Sequence, residues 1–201
     1  MINEDTKKML MVLGDSQAGK ITIIGHLMHI QGGIDKRTIE KCKQNPELYN
    51  NEKFNYPQLV DHLSEYAKAN CLYEINTTQF TTKNNHFLVE ENKHQNFDFS
   101  SQNNTPSCSL LVVSALSLAD KANEDVEDNL HAFFSYSLMG NKKVVAVTKM
   151  DHPSINYSEE KFNEIVKEIK YLLGTFGCSE KIDDQNIAFI PVSGITGENL
   201  I

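Results

Sequence analysis

Gly14, Asp15, Ser16, Gln17, Ala18, Gly19 and Lys20 form the pattern G-x-x-x-x-G-K, in which two glycines and a lysine can do one particular piece of chemistry. Glycines let a backbone turn tightly and approach a ligand. The N–H groups of such a loop can close around a phosphate, while Lys20 reaches the terminal phosphates. The residue after the lysine in this motif is Ser or Thr, whose hydroxyl ligates the Mg²⁺ that accompanies a triphosphate. Here it is Ile21, which has no lone pair to offer. Thr22 is the remaining candidate for the metal, but a shift of one residue on a helix turns a side chain by about 100°. The cradle is therefore present and its metal ligand is not.

A phosphate loop works only between a strand that delivers it and a helix that points its positive end at the anion. Residues 7–13 supply an apolar run for the strand. The spacing of Ile23, Ile24, Leu27, Met28 and Ile30 predicts a helix over 20–31, stopped by Gly32 and Gly33. Asp35 reads as the N-cap of a second helix ending near residue 43. Helical spacing recurs at 57–69 and, most clearly, at 158–173, where Phe162, Ile165, Val166, Ile169, Leu172 and Leu173 share one face. Strands are predicted at 72–82 and 86–91, paired antiparallel through a turn at 83–85. The β-branched run 108–116 reads as a central buried strand, and 143–147 and 187–191 as two more. A further helix is expected at 130–138, with His131 packed inside it, after an acidic connection at 120–128. The fold class is α/β: one domain over 1–201, with a mostly parallel central sheet, one antiparallel edge strand and helices on both faces.

The chain has 201 residues and a net charge of −8, which argues against general affinity for a nucleic-acid backbone. Cys42, Cys71, Cys108 and Cys178 are scattered, which points to a reducing compartment without a disulfide frame or zinc site. No apolar run approaches membrane-spanning length, and the acidic first five residues do not read as a signal peptide. A cytoplasmic location is expected, with the cytoskeleton as the alternative.

The stretch Gly32-Gly-Ile-Asp-Lys-Arg-Thr-Ile-Glu-Lys41 closely resembles the segment that follows the phosphate-loop helix in elongation factor 1-alpha, the GTPase that carries aminoacyl-tRNA to the ribosome. The resemblance runs to the end of the chain and covers the GTP-binding domain, not the two β-barrels that follow it in that family. It implies a P-loop GTPase domain and a guanine nucleotide, GDP or GTP, as ligand. Thr148-Lys149-Met150-Asp151 resembles the guanine motif Asn-Lys-x-Asp. Asp151 keeps the carboxylate for the guanine N1–H and exocyclic amine. Lys149 keeps the aliphatic stem that stacks on the base, and Thr148 replaces Asn. Ser193, Gly194 and Ile195 fall on the family's last guanine loop, whose serine and backbone N–H groups contact the base and its O6.

The same resemblance shows what has changed. The switch threonine that closes over Mg²⁺ and the γ-phosphate reads Leu72, and two switch arginines read Ala67 and Ala69. The γ-phosphate-sensing glycine reads Lys93, with Glu90 on the aspartate column. His94 falls on the column of the histidine that positions the attacking water, but a surface histidine in a polar loop is the favoured reading of it. Residues 92–107 carry little apolar content, so the switch helix is expected to be frayed or replaced by loop. Three readings follow. One is a guanine-nucleotide-binding domain with little or no hydrolysis and doubtful Mg²⁺. Another is a former GTPase serving as a structural subunit of a larger assembly, with ribosome, tRNA or cytoskeletal partners by family analogy alone. The last is an active elongation GTPase. Residues 199–201 read as the start of a last helix, which suggests that the natural protein continues or that another chain covers this edge.

Overall fold

In β1 (Lys7–Gly14), alternate side chains enter two different cores, as the twofold period of a strand requires. Leu10 and Val12 pack with Ile23, Ile24 and Met28 of α1 (Lys20–Ile30), while Met11 and Leu13 pack on the opposite face. The computed structural model describes residues 7–15, 17–69, 77–82, 85–91, 106–116, 142–175 and 187–200. Within them the remaining elements are α2 (Lys36–Lys43), β2 (Tyr49–Asn50), β3 (Lys53–Phe54) and α3 (Tyr56–Ala69), then β4 (Thr77–Thr81), β5 (His86–Glu91) and β6 (Cys108–Ser114). They end with β7 (Lys142–Thr148), α4 (Glu159–Leu173) and β8 (Ile187–Pro191).

The main sheet has the order β4-β5-β1-β6-β7-β8. β1 pairs parallel with both β5 and β6, and β6–β7 and β7–β8 are also parallel. β4 pairs antiparallel with β5 and forms the edge. The α/β class, the parallel sheet and its one antiparallel edge strand agree with the sequence expectation. So do the helices on both faces: α1 and α3 cover one side, while Ile165, Ile169 and Leu173 of α4 fill the other with Leu111, Val113, Val145 and Val147. The winding reverses at β1, which has β5 on one side and β6 on the other. In open α/β sheets ligands bind beyond the carboxyl ends of strands at such a point.

Local signals set the helix ends. Asp35 accepts hydrogen bonds from the N–H groups of Arg37 and Thr38, both at 3.0 Å, and caps α2. Ser158 caps α4 through the Lys161 N–H. Gln31 lies just beyond α1, and the Gly33 N–H returns to the Met28 carbonyl at 2.8 Å.

Two features depart from expectation. Residues 49–54 form a two-stranded hairpin whose central residues, Asn51 and Glu52, have φ of 48° and 62°. Positive φ at both positions is the geometry of a type I′ turn. The hairpin brings Tyr49 and Phe54 onto the α1 core. At the other end, Asn199, where a helix start was expected, does not have a helical φ. Asn199 takes φ of 60° and donates its side-chain N–H to the Pro191 carbonyl, at the end of β8, at 2.8 Å. Among the described residues no helix is long and apolar enough to cross a membrane. Cys42 and Cys108 are free thiols, both pushed up from the ordinary thiol range by burial. The expectations for 72–76, 83–84, 92–105, 117–141 and 176–186 lie outside the described residues.

Candidate functional site

The carboxyl ends of β1, β6, β7 and β8 converge on the glycine loop. Gly14 closes β1 with φ of +144° opposite Val112 of β6, and a Cβ there would lie 2.2 Å from the Val112 carbonyl oxygen. A side chain is thus excluded by the neighbouring strand, before any ligand is considered. The loop closes through the Ala18 N–H on the Asp15 carbonyl at 3.1 Å. Gly19 then turns the chain into α1 with φ of 94°, and α1 starts without a side-chain cap or an acidic residue in its first turn. Its first N–H groups therefore point out of the helix with no carboxylate from this segment to compete with an anion. Lys20 is only 6% exposed, and its Nζ donates to the carbonyls of Gly14 at 2.8 Å and Asp15 at 2.7 Å. The ammonium is folded over the mouth of the loop. Gln17 is exposed and Ala18 buried. Ser16 lies outside the described residues.

Thr148 ties this loop to the next one. It is 3% exposed, and its Oγ1 lies 2.6 Å from the Ala18 carbonyl and 3.2 Å from that of Val113. A hydroxyl has a single proton to donate, so the shorter contact holds the glycine loop onto the end of β7. Lys149 follows with φ of 58°, a left-handed turn that leaves Lys149 and Asp151 half-buried while Met150 between them plugs the core under α4. The Tyr157 N–H returns to the Met150 carbonyl at 2.9 Å, closing the turn.

The loop after β8 lies alongside. The Val192 N–H bonds the Val147 carbonyl at 2.8 Å. Ser193 is fully buried, its Oγ accepting the Thr196 N–H at 3.1 Å, and the Gly197 N–H bonds the Ser193 carbonyl at 2.9 Å. The Tyr157 phenol is raised above the usual tyrosine value, first by desolvation and then by hydrogen bonding to Glu198. Ile195 is 56% exposed at the rim.

The structure adds His26, which sequence patterns did not single out, and gives Thr22 a different place from the metal-facing one considered for it. A Cβ on Gly194 would lie 3.1 Å from Thr22 Cγ2, and one on Gly197 would lie 2.5 Å from His26 Cε1. Thr22 and His26 are four apart on α1 and make one stripe, on which the loop over 193–197 is seated. His26 Nδ1 is 2.8 Å from the Gly194 carbonyl oxygen, and its ring stacks on Tyr56 at 4.3 Å between centroids. His29, one turn further, contacts the Tyr56 hydroxyl at 3.2 Å, and burial, His26 and Lys43 hold its pKa below the usual histidine value. Tyr56, desolvated, is pushed up to about 12. The only sequence signal for His26 was its place four residues after Thr22 on the loop helix.

The loop, Thr148, Lys149, Asp151, Ser193, Gly194 and Ile195 are thus brought to one end of the sheet. Ile21 has no donor atom, Thr22 turns its methyl toward Gly194, and no three His, Cys, Asp or Glu side chains gather among the described residues. Leu72, Lys93 and His94 lie outside those residues.

Comparison with known proteins follows the same lines. The model of the elongation factor Tu GTP binding domain matches residues 6–201. Elongation factor 1-alpha of Coccidioides immitis (strain RS) is 32% identical over 203 residues, covering 98% of this chain and 43% of that protein. The chain thus spans less than half the length of this relative. The S. cerevisiae Ski7 GTPase-like domain, bound to GDP and inorganic phosphate, superposes with a TM-score of 0.69 at 18% identity, over 96% of this chain and 44% of that one. Sup35 complexed with GMPPNP gives a TM-score of 0.61 at 21% identity, over 96% and 38%. At these identities the two structures speak to fold alone.

Proposed function

Since the chain belongs to the family of elongation factor Tu GTP-binding domains, we propose that it holds guanine nucleotide by the base and the phosphate backbone, needs no Mg²⁺ to do so, and hydrolyses GTP slowly or not at all. The observation that carries this reading is the contrast within one site. The chain keeps Gly14, Gly19, Lys20, Lys149, Asp151 and Ser193, and carries at the metal-ligand position Ile21, which can ligate nothing.

In this reading the Asp151 carboxylate accepts from the guanine N1–H and exocyclic amine. The stem of Lys149 covers one face of the ring, and N–H groups of the 193–195 segment meet O6. The phosphates sit against the N–H groups of the glycine loop and the first turn of α1, with Lys20 beside them. Rate in phosphoryl transfer comes from charge stabilisation and positioning. With Ile21 and Leu72 on the two hydroxyl positions, both direct ligands are missing. Each such contact is worth roughly 1.5–3 kcal/mol. Their joint loss lowers triphosphate affinity by a factor on the order of 10²–10⁴, and diphosphate affinity by less.

The integrity of the base side favours a nucleotide-binding module over a purely structural subunit. The missing hydroxyls argue against a cycling carrier of tRNA. Ribosomal, tRNA or cytoskeletal partners stay within this proposal by family analogy, as does a cytoplasmic setting. Ile21→Ser tests it: the variant is expected to gain at least about tenfold in GTP affinity when Mg²⁺ is added, measured by calorimetric titration. An unchanged titration would mean that the glycine loop is not a phosphate site.

A further inference from the structure

We propose that His26 is a positioning residue for guanine recognition, so that the phosphate-loop helix itself sets the loop that reads the base. The inference rests on the reading that the 193–195 segment meets the purine.

A carbonyl oxygen only accepts, so the 2.8 Å contact between His26 Nδ1 and the Gly194 carbonyl requires the proton on Nδ1. The Gly194 carbonyl and the Ile195 N–H belong to one trans peptide unit and point in opposite directions. Holding that carbonyl on α1 therefore aims the Ile195 N–H away from the helix, leaving it open to the purine O6 that the reading above assigns to this segment. The ring that does this is 7% exposed and fixed from both sides. Tyr56 stacks on one face with an interplanar angle of 18°. Gly197, at φ +83°, lies so close that a Cβ would sit 2.5 Å from Cε1 and 2.8 Å from Nε2. Thr22, one turn earlier, carries the other half of the seat through Gly194. The two ends of the nucleotide site are therefore coupled through a single helix: Lys20 belongs to the phosphate end and His26 to the base end, six residues apart on α1.

The test compares His26→Leu, which removes the donor, with His26→Asn, whose amide nitrogen lies near the Nδ1 position, and His26→Gln, whose amide reaches toward Nε2. GDP and ADP affinities are measured by calorimetry for each, with amide hydrogen exchange across residues 194–197 in the nucleotide-free protein. His26→Leu is expected to lower the GDP-to-ADP affinity ratio at least about tenfold with ADP affinity unchanged, and His26→Asn to restore it to within about threefold. Exchange at 195–197 should quicken in the Leu and Gln variants while α4 amides stay protected. An unchanged ratio in His26→Leu, or equal loss of GDP and ADP, overturns the proposal. Should His26→Leu not fold, the Asn and Gln variants decide by the same ratio. If the parent protein shows no preference for GDP over ADP, the nucleotide reading itself fails, and unchanged exchange at 195–197 in the variants would then show separately that His26 does not hold the loop.

Discussion

Asp151→Asn is expected to lower GDP affinity by about 10²–10³-fold and to create affinity for xanthosine diphosphate. The carboxylate can accept two N–H bonds from guanine, each worth about 1.5–3 kcal/mol because the acceptor is charged. An asparagine keeps one acceptor and sets its own NH₂ against a donor on the base. Xanthine carries a carbonyl where guanine carries the amine, so that NH₂ then finds an acceptor. The fold should tolerate the change, because Asp151 is half-buried on a turn whose core contact is made by Met150 and whose backbone is closed by Tyr157. Titration with both diphosphates measures the exchange. GDP affinity preserved within about threefold would show that Asp151 does not read the base.

Gly14→Ala carries the largest expected loss of stability. The new Cβ would stand 2.2 Å from the Val112 carbonyl oxygen at a φ of +144°, so the variant meets a backbone clash and a strained conformation together. Strain of this kind costs about 1–3 kcal/mol, and forcing extra carbon into a packed contact a further ~1–3 kcal/mol. A domain this size loses roughly 2–4 °C in Tm per kcal/mol, so a fall of about 5–20 °C is expected by calorimetry. A fall below about 2 °C would mean that β1 and β6 part at this point with little penalty. The result bears on function as well, since the β1–β6 pair at Gly14 and Val112 is where the glycine loop leaves the sheet.

The glycine also shows where sequence reasoning was right for an incomplete reason. The motif implied freedom to turn around a ligand, whereas at Gly14 the constraint comes from a parallel strand about a hundred residues away in sequence, which no local pattern records. Elements whose periodicity is dictated by a buried face were legible from residue types: α1, α4 and β6 fall within a few residues of expectation, and Asp35 caps α2 as its side chain predicts. The β2–β3 hairpin was not legible, because its strands are two residues long and its turn uses Asn51-Glu52 in place of a glycine-containing pair. Asn199 takes a left-handed φ and bonds Pro191 at the end of β8, a partner that helical spacing does not reveal. His26 escaped notice for the same kind of reason: its partner is 168 residues away. Within the site, the motifs named the residues that face the nucleotide in the proposed reading. The contacts that seat those loops, made by Thr22, His26 and the Tyr157 backbone, emerged only once the strand ends had been brought together.

The account turns on a nucleotide site that keeps its purine and phosphate contacts without a divalent cation. Titration of the nucleotide-free protein with GDP and with GTP, each in excess Mg²⁺ and again in EDTA, tests this most directly. GDP is expected to bind with an affinity that EDTA changes by less than about threefold, and GTP to gain less than about tenfold from Mg²⁺. A gain in GTP affinity of about a hundredfold or more on adding Mg²⁺ would contradict it.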